Sequence, residues 1–155
     1  MRSLTIVSGG QTGADRGALD AAIELGLSVD GWCPRGRRAE DGPVPAEYPM
    51  RETPSNRYAE RTTWNVRDSD ATLILHAGKT GPGTALTVRL AGRLSRAYLV
   101  VDVREPEAKR TVKAWIEGQK IGRLNVAGPR ESGSPGLQDA VKRFLVSVLG
   151  GIVTR

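Results

Sequence analysis

The stretch IVSGGQTGADRGALDAA, residues 6–22, joins a β-branched apolar run to a helical pattern through three glycines, Gly9, Gly10 and Gly13, with Gln11 and Thr12 between them. Leu4 to Ser8 reads as a strand. Residues 14–25 read as a helix, with Ala18, Ala21, Ala22 and Leu25 on one face, Asp15 in the first turn and Gly26 closing it. A strand that passes to a helix through so open a backbone suits an anion. Glycine lets amides point one way and lets a ligand touch the chain. The helix that follows adds unpaired N–H groups and a partial positive charge.

The rest of the chain repeats the alternation. Leu27–Cys33, Ala71–Leu75, Ala97–Asp102 and Arg123–Ala127 read as strands, and Met50–Thr53 as a short one. Helices are expected over 56–68, capped by Ser55, over 84–95 with Leu86, Leu90 and Leu94 in register, over 106–118, and over 136–149. Residues 34–49 hold four of the nine prolines and neither periodicity, so an ordered covering loop is expected there. The pattern predicts an α/β fold: one Rossmann-like, doubly wound, mostly parallel sheet with helices on both faces, spanning 1–155 as a single domain. Ligands of such sheets bind at the carboxyl ends of the strands.

Two more glycine-rich turns follow strands: GKTGPGT after the central strand and GPRESGSPG after the last. In a parallel sheet all three lie at one edge. Gln11, Thr12, Thr84 and Ser132 offer neutral donors there, and Arg16, Arg35 and Arg130 offer fork-shaped charged ones. The plain alternatives are tight connections, helix caps at Thr84 and Ser134, and a dipole role for Asp15. No standard phosphate motif fits. Gly13 is followed by Ala14-Asp15 rather than the Lys-Ser/Thr of a P-loop, and Ser8 stands where a dinucleotide fingerprint needs glycine.

Composition limits the rest. The net charge is +6, and arginine dominates the 23 basic residues. Arg16, Arg35, Arg37, Arg38, Lys79 and Arg130 all fall in loops at strand ends. With those six set aside, basic and acidic residues are equal in number. This focuses a basic site for a small anionic ligand. Aromatics are 5% and scattered, which disfavours nucleic acid. No apolar run suits a signal or a membrane span, so a cytoplasmic protein without membrane contact is expected. One cysteine, Cys33, and one histidine, His76, exclude an internal disulfide and a zinc site built from such ligands, and no metal site is expected. His76 and Cys33 read as packing residues. Asp41, Glu40 and Glu131 are the carboxylates nearest the expected site. Glu131 reads as an arginine-orienting partner of Arg130 or as a general base. No catalytic set emerges beyond Glu131, with Asp15 as the other acid–base candidate if the chain acts on a nucleotide.

The blocks VSGGQTGADRGALDAA, GWCPRGRRAEDGPVPAEYPM, RTTWNVRDSDATLIL, TGPGT and LNVAGPRESGSPG resemble the molybdenum carrier family, in the circularly permuted branch of the SLOG superfamily with its lysine-decarboxylase-like Rossmann fold. The resemblance runs from residue 4 to about residue 149. It implies dimers or tetramers and a basic pocket that holds the molybdenum cofactor (molybdopterin), or a molybdate-like oxyanion, as cargo. Phosphate or a nucleotide is the alternative ligand. By position, the pocket would use Gly9, Gly10, Gln11, Thr12, Gly13 and Arg16. To these it would add Pro34, Arg35 and Gly36, then Lys79, Gly81, Gly83 and Thr84. Gly128, Pro129, Arg130, Glu131 and Ser132 would complete it. Arg61, Thr62, Thr63 and Asn65 match a further block whose role, binding or packing, stays open. Related phosphoribohydrolases carry Gly-Gly-x-Gly-Thr-x-x-Glu. Here Thr80 replaces the first glycine and Thr87 the glutamate, which favours a binder over that nucleotide-processing enzyme. A nucleotide sensor is the remaining alternative.

Overall fold

The computed structural model describes residues 3–153. Its elements, in chain order, are β1 (Thr5–Val7), α1 (Ala14–Glu24), β2 (Ser28–Asp30), β3 (Trp32–Cys33), β4 (Arg38–Ala39), β5 (Gly42–Pro43), β6 (Arg51–Glu52), α2 (Tyr58–Arg67), β7 (Ala71–His76), α3 (Pro82–Arg93), β8 (Ala97–Asp102), α4 (Ala108–Gly118), β9 (Arg123–Ala127) and α5 (Leu137–Val153). The main sheet is parallel throughout, in the order β2-β1-β9-β7-β8. This is the α/β Rossmann-like arrangement that the alternation predicts.

The sequence explains the layering. Side chains alternate along each strand, so Ala71, Leu73 and Leu75 of β7 join Leu4, Ile6, Leu124 and Val126 on one face. There they meet Ala14, Ala18, Ala21 and Ala22 of α1, Val112 and Ile116 of α4, and the Leu137-Val141-Phe144-Leu145-Val148 stripe of α5. Burying each large apolar side chain contributes about 1.5–3 kcal/mol. The opposite face carries α2 and α3. It is more polar, and Asn125 Nδ2 donates to Thr72 Oγ1 across the sheet at 3.2 Å.

Four expectations need correction. The run Leu27–Cys33 is not one strand. Gly31 sits at φ 140, and a Cβ there would strike the Ser8 backbone, so the chain breaks. β2 stays in the main sheet, while β3 leaves to pair with β6. Ser55 does not cap α2. The cap residue is Arg57, and the Ser55 amide and hydroxyl donate instead to Glu60, at 3.0 and 2.9 Å. Helix α3 begins at Pro82 and buries Thr87 and Ala91, leaving Leu86, Leu90 and Leu94 half-buried. The edge strand β8 keeps Tyr98 and Val100 exposed. Helix α5 continues past residue 149 to Val153.

The proline-rich segment is ordered and has its own small core. β4 and β5 form a two-residue hairpin, and Arg37 donates to the carbonyls of Val44, Pro45 and Tyr48 at 2.9, 2.8 and 2.7 Å. Ala39, Val44 and Tyr48 pack with Cys33 on Leu19 of α1. Tyr48 also donates to Asp20 at 2.6 Å. The segment therefore covers α1. Among the described residues no helix is long and apolar enough to cross a membrane.

Candidate functional site

Strand order decides where a ligand could sit. The chain runs from β1 outward to β2, crosses to β7 and β8 on the other side, and returns as β9 between β1 and β7. The carboxyl ends of β1, β9 and β7 are thus neighbours, and the three glycine-rich turns that follow them surround one hollow. Ala14 N donates to Pro129 O at 3.2 Å and Glu131 N donates to Thr12 Oγ1 at 3.1 Å, which locks the first turn to the last.

Within the first turn the side chains close on the backbone. Ser8 Oγ accepts from Gly10 N and donates to Asp15 O. Asp15 Oδ2 accepts from Gln11 N at 3.2 Å. Gln11 Oε1 accepts from the amides of Thr12 and Glu40, at 3.1 and 2.9 Å. Those two donors fix which end of the amide is oxygen. The Gln11 Nε2 group is left buried without an acceptor.

Beside these turns lies a cavity of about 440 Å³. Its wall includes Gly9 and Gln11 from the first turn, Gly81, Gly83 and Thr84 at the start of α3, and Gly128, Pro129, Arg130 and Ser132 from the last turn. A fourth side comes from α2, through Tyr58, Arg61, Thr62 and Asn65. Ile74, Leu86, Pro82 and Val126 make part of it apolar.

Arg61 ties α2 to the first turn. It is buried, its Nη1 donates to Gly9 O at 2.8 Å, and it lies 3.6 Å from Asp15 Oδ2. A side chain at Gly9 would collide with it, so the glycine is needed for close approach. Burial pushes the Asp15 carboxyl up to about 6, against the opposing pull of Arg61, the Gln11 N–H bond, Arg16 and Arg130. Burial also pulls Arg61 down, with Asp15 partly offsetting it. Both partners report the same thing: desolvation outweighs their attraction.

Other sequence-selected residues lie outside the cavity. Arg16 is buried, donates from Nε to Gly10 O at 3.1 Å and grips Asp41 with both terminal nitrogens at 2.5 and 2.7 Å. It fastens the β4–β5 hairpin to the first turn. Thr12 donates to Glu40, whose carboxylate also accepts from Ser132 N at 3.2 Å and Ser132 Oγ at 2.5 Å. Those bonds hold Glu40 below the ordinary carboxylate range. Glu131 accepts from Gly136 N and Gln138 N, at 2.6 and 2.9 Å, and so serves the start of α5. Gly10, Gly13, Pro34, Arg35, Gly36 and Lys79 are not in the wall either. Gly36 N donates to Glu52 at 2.7 Å, and Lys79 is exposed. No residue of 34–49 lines the cavity, and the segment lies beside it rather than over it.

Thr63 is spent within its helix, on Ala59 O, and Asn65 brackets the Trp32 backbone with two bonds at 2.8 and 2.9 Å. Tyr58 was missed from the sequence. Its only signal is the i, i+3 spacing to Arg61 on a helix face, and that needs the strand order to acquire meaning.

No curated protein matches the chain. A crystal structure at 1.45 Å from Syntrophus aciditrophicus SB, described as a "putative molybdenum carrier protein", is 41% identical, covers 95% of each chain and superposes with a TM-score of 0.91. Residues 6–149 match the model of the circularly permutated YpsA SLOG family, and the chain belongs to that family.

Proposed function

We propose that the chain is a binding protein for a small anionic molecule of the molybdenum cofactor class. Its phosphate or oxyanion end would take the donors of Gln11, Arg61 and Arg130, and its body would lie along Ile74, Leu86 and Val126. The observation that carries this reading is the buried Gln11 Nε2 without an acceptor. An unmet buried donor costs about 1–3 kcal/mol, and a ligand oxygen would remove that cost. The cavity volume supports a molecule rather than a bare oxyanion, since small-molecule sites span roughly 300–1,000 Å³. The similar protein from Syntrophus aciditrophicus SB, described by molybdenum carriage, supports the cargo class. Among the described residues no three His, Cys, Asp or Glu side chains gather. A metal would therefore be held through its own oxygen or sulfur ligands, by hydrogen bonds from the wall. A dimer or tetramer belongs to the same proposal and is read by sedimentation velocity.

Native mass spectrometry of freshly isolated protein tests the reading. The parent chain is expected to carry a retained mass that Arg130→Ala loses while keeping its fold. A parent that is bare in every preparation overturns it.

A second reading, an enzyme acting on nucleotides, is favoured by the Asp15 carboxyl in the cavity wall, poised near pH 6 for proton transfer. Against it, Thr87 holds the position of the hydrolase glutamate and spends its hydroxyl on Gly83 O at 2.9 Å. Turnover of nucleoside monophosphates by the parent, lost in Asp15→Asn, would establish this reading. Absence of turnover removes it.

A further inference from the structure

Tyr58, the first residue of α2, gathers three guanidinium groups around one ring. The central carbons of Arg38, Arg130 and Arg61 lie 4.3, 4.6 and 5.2 Å from its centroid. The three arrive from different parts of the chain: the β4–β5 hairpin, the β9–α5 turn and α2 itself. Like charges brought this close repel, and the ring's negative face offsets only about 0.5–2 kcal/mol for each cation. Arg61 is already committed to Gly9 and Asp15. The other two are not. Arg38 is exposed and donates to Asn56 O at 2.9 Å, and among the described residues neither Arg38 nor Arg130 forms an ion pair. Asp15 and Glu40 act on Arg130 through space only: Asp15 lies against Arg61, and Glu40 has both oxygens engaged by Thr12 and Ser132. Two fork-shaped cations therefore stand beside one aromatic ring with no carboxylate in direct contact among the described residues. Tyr58 and Arg130 belong to the cavity wall, whereas Arg38 stands outside it.

We propose that Arg38 and Arg130, held by the Tyr58 ring, form a clamp for a diphosphate group that runs from the cavity out over its rim. One tetrahedral anion would be met by Arg130 alone. Two guanidinium groups on opposite sides of the cavity's boundary call for negative charge on two centres, each taking a fork in the bidentate manner. Arg38 and Tyr58 thereby become ligand-selecting residues, Arg38 by contact and Tyr58 by positioning. This inference rests on the cavity reading above and narrows its ligand to diphosphate-bearing molecules.

Calorimetric titration of the full chain with inorganic pyrophosphate and with orthophosphate, at one fixed ionic strength, tests the clamp. The parent is expected to bind pyrophosphate at least tenfold more tightly than orthophosphate. Arg38→Gln, a change at an exposed side chain, should remove most of that preference and leave orthophosphate affinity within about twofold. Tyr58→Leu should do the same, and Tyr58→Phe should restore the preference, because the ring rather than the hydroxyl is the platform. If Arg38→Gln binds both probes as the parent does while Arg130→Ala loses both, the clamp is wrong and the cavity reading stands. A parent that binds neither probe overturns the clamp, and retained mass alone then decides the cavity reading.

Discussion

Arg61 Nη1 lies 2.8 Å from the carbonyl oxygen of Gly9 and 3.6 Å from Asp15 Oδ2, with the Arg61 and Asp15 side chains 9% and 10% exposed. This pair joins the helix on one face of the sheet to the turn at its edge, and it forms the inner wall of the cavity. Removing one partner of a buried pair strands the other. Arg61→Gln is expected to cost about 3–5 kcal/mol of folding stability in urea titrations. The double variant Asp15→Asn, Arg61→Gln should recover a large part of that loss. Strictly additive effects would show that the two groups do not act as a pair.

Asp15 also makes stability depend on pH. Its folded carboxyl keeps its proton up to about pH 6, whereas the ordinary value is 3.8. Between these values the folded chain binds more protons than the unfolded one at this site, so the contribution of Asp15 falls as pH rises through the window. The groups facing it are Arg61, Arg16, Arg130 and the Gln11 amide. The change amounts to about 3 kcal/mol, at roughly 1.4 kcal/mol for each pH unit. Asp15→Asn removes it. The stability of Asp15→Asn relative to the parent should therefore rise between pH 4 and pH 7, and a constant difference would contradict the assignment.

Arg16 was selected from the sequence as an anion donor, yet its guanidinium is occupied by Asp41 and Gly10 O. Asp41 is half exposed, so the pair is partly screened. Arg16→Ala is expected to cost about 1–2 kcal/mol and to raise amide exchange across residues 38–48, where the hairpin loses its anchor. Ligand affinity should fall less than in Arg130→Ala.

Glu131 makes the complementary case. Its carboxylate caps the start of α5 through Gly136 N and Gln138 N. Glu131→Ala should lower stability by about 1 kcal/mol, the usual cost of losing a cap, and should leave ligand binding unchanged. A loss of binding at unchanged stability would return Glu131 to the site.

The layered fold was legible in the sequence because its elements carry strong periodic patterns, such as ATLIL in β7 and the apolar stripe of α5. Parallelism alone placed the three glycine turns at one edge of the sheet, whereas their adjacency depends on the strand order β1-β9-β7. Other features depended on pairing and packing that one-dimensional patterns do not encode. The strand break at Gly31 depends on how close the Ser8 backbone comes. The partners of Arg16 and Glu131 depend on which carboxylate or amide the fold brings within reach. Arg61 was visible in the block RTTWN, but its role required knowing that α2 crosses the carboxyl edge of β1. Tyr58 gained meaning only with Arg38 and Arg130 around it.

Crystals soaked with tungstate, an electron-dense stand-in for molybdate and phosphate, show whether the cavity beside β1, β9 and β7 receives an oxyanion on the Gln11 amide. An anomalous peak is expected within hydrogen-bond reach of Gln11 Nε2, with Arg61 or Arg130 beside it. The peak should vanish in Gln11→Glu, which keeps the acceptor that Thr12 N and Glu40 N use but turns the donor into a repelling oxygen. A peak elsewhere with an empty cavity, or one unchanged in Gln11→Glu, would contradict an oxyanion site on Gln11.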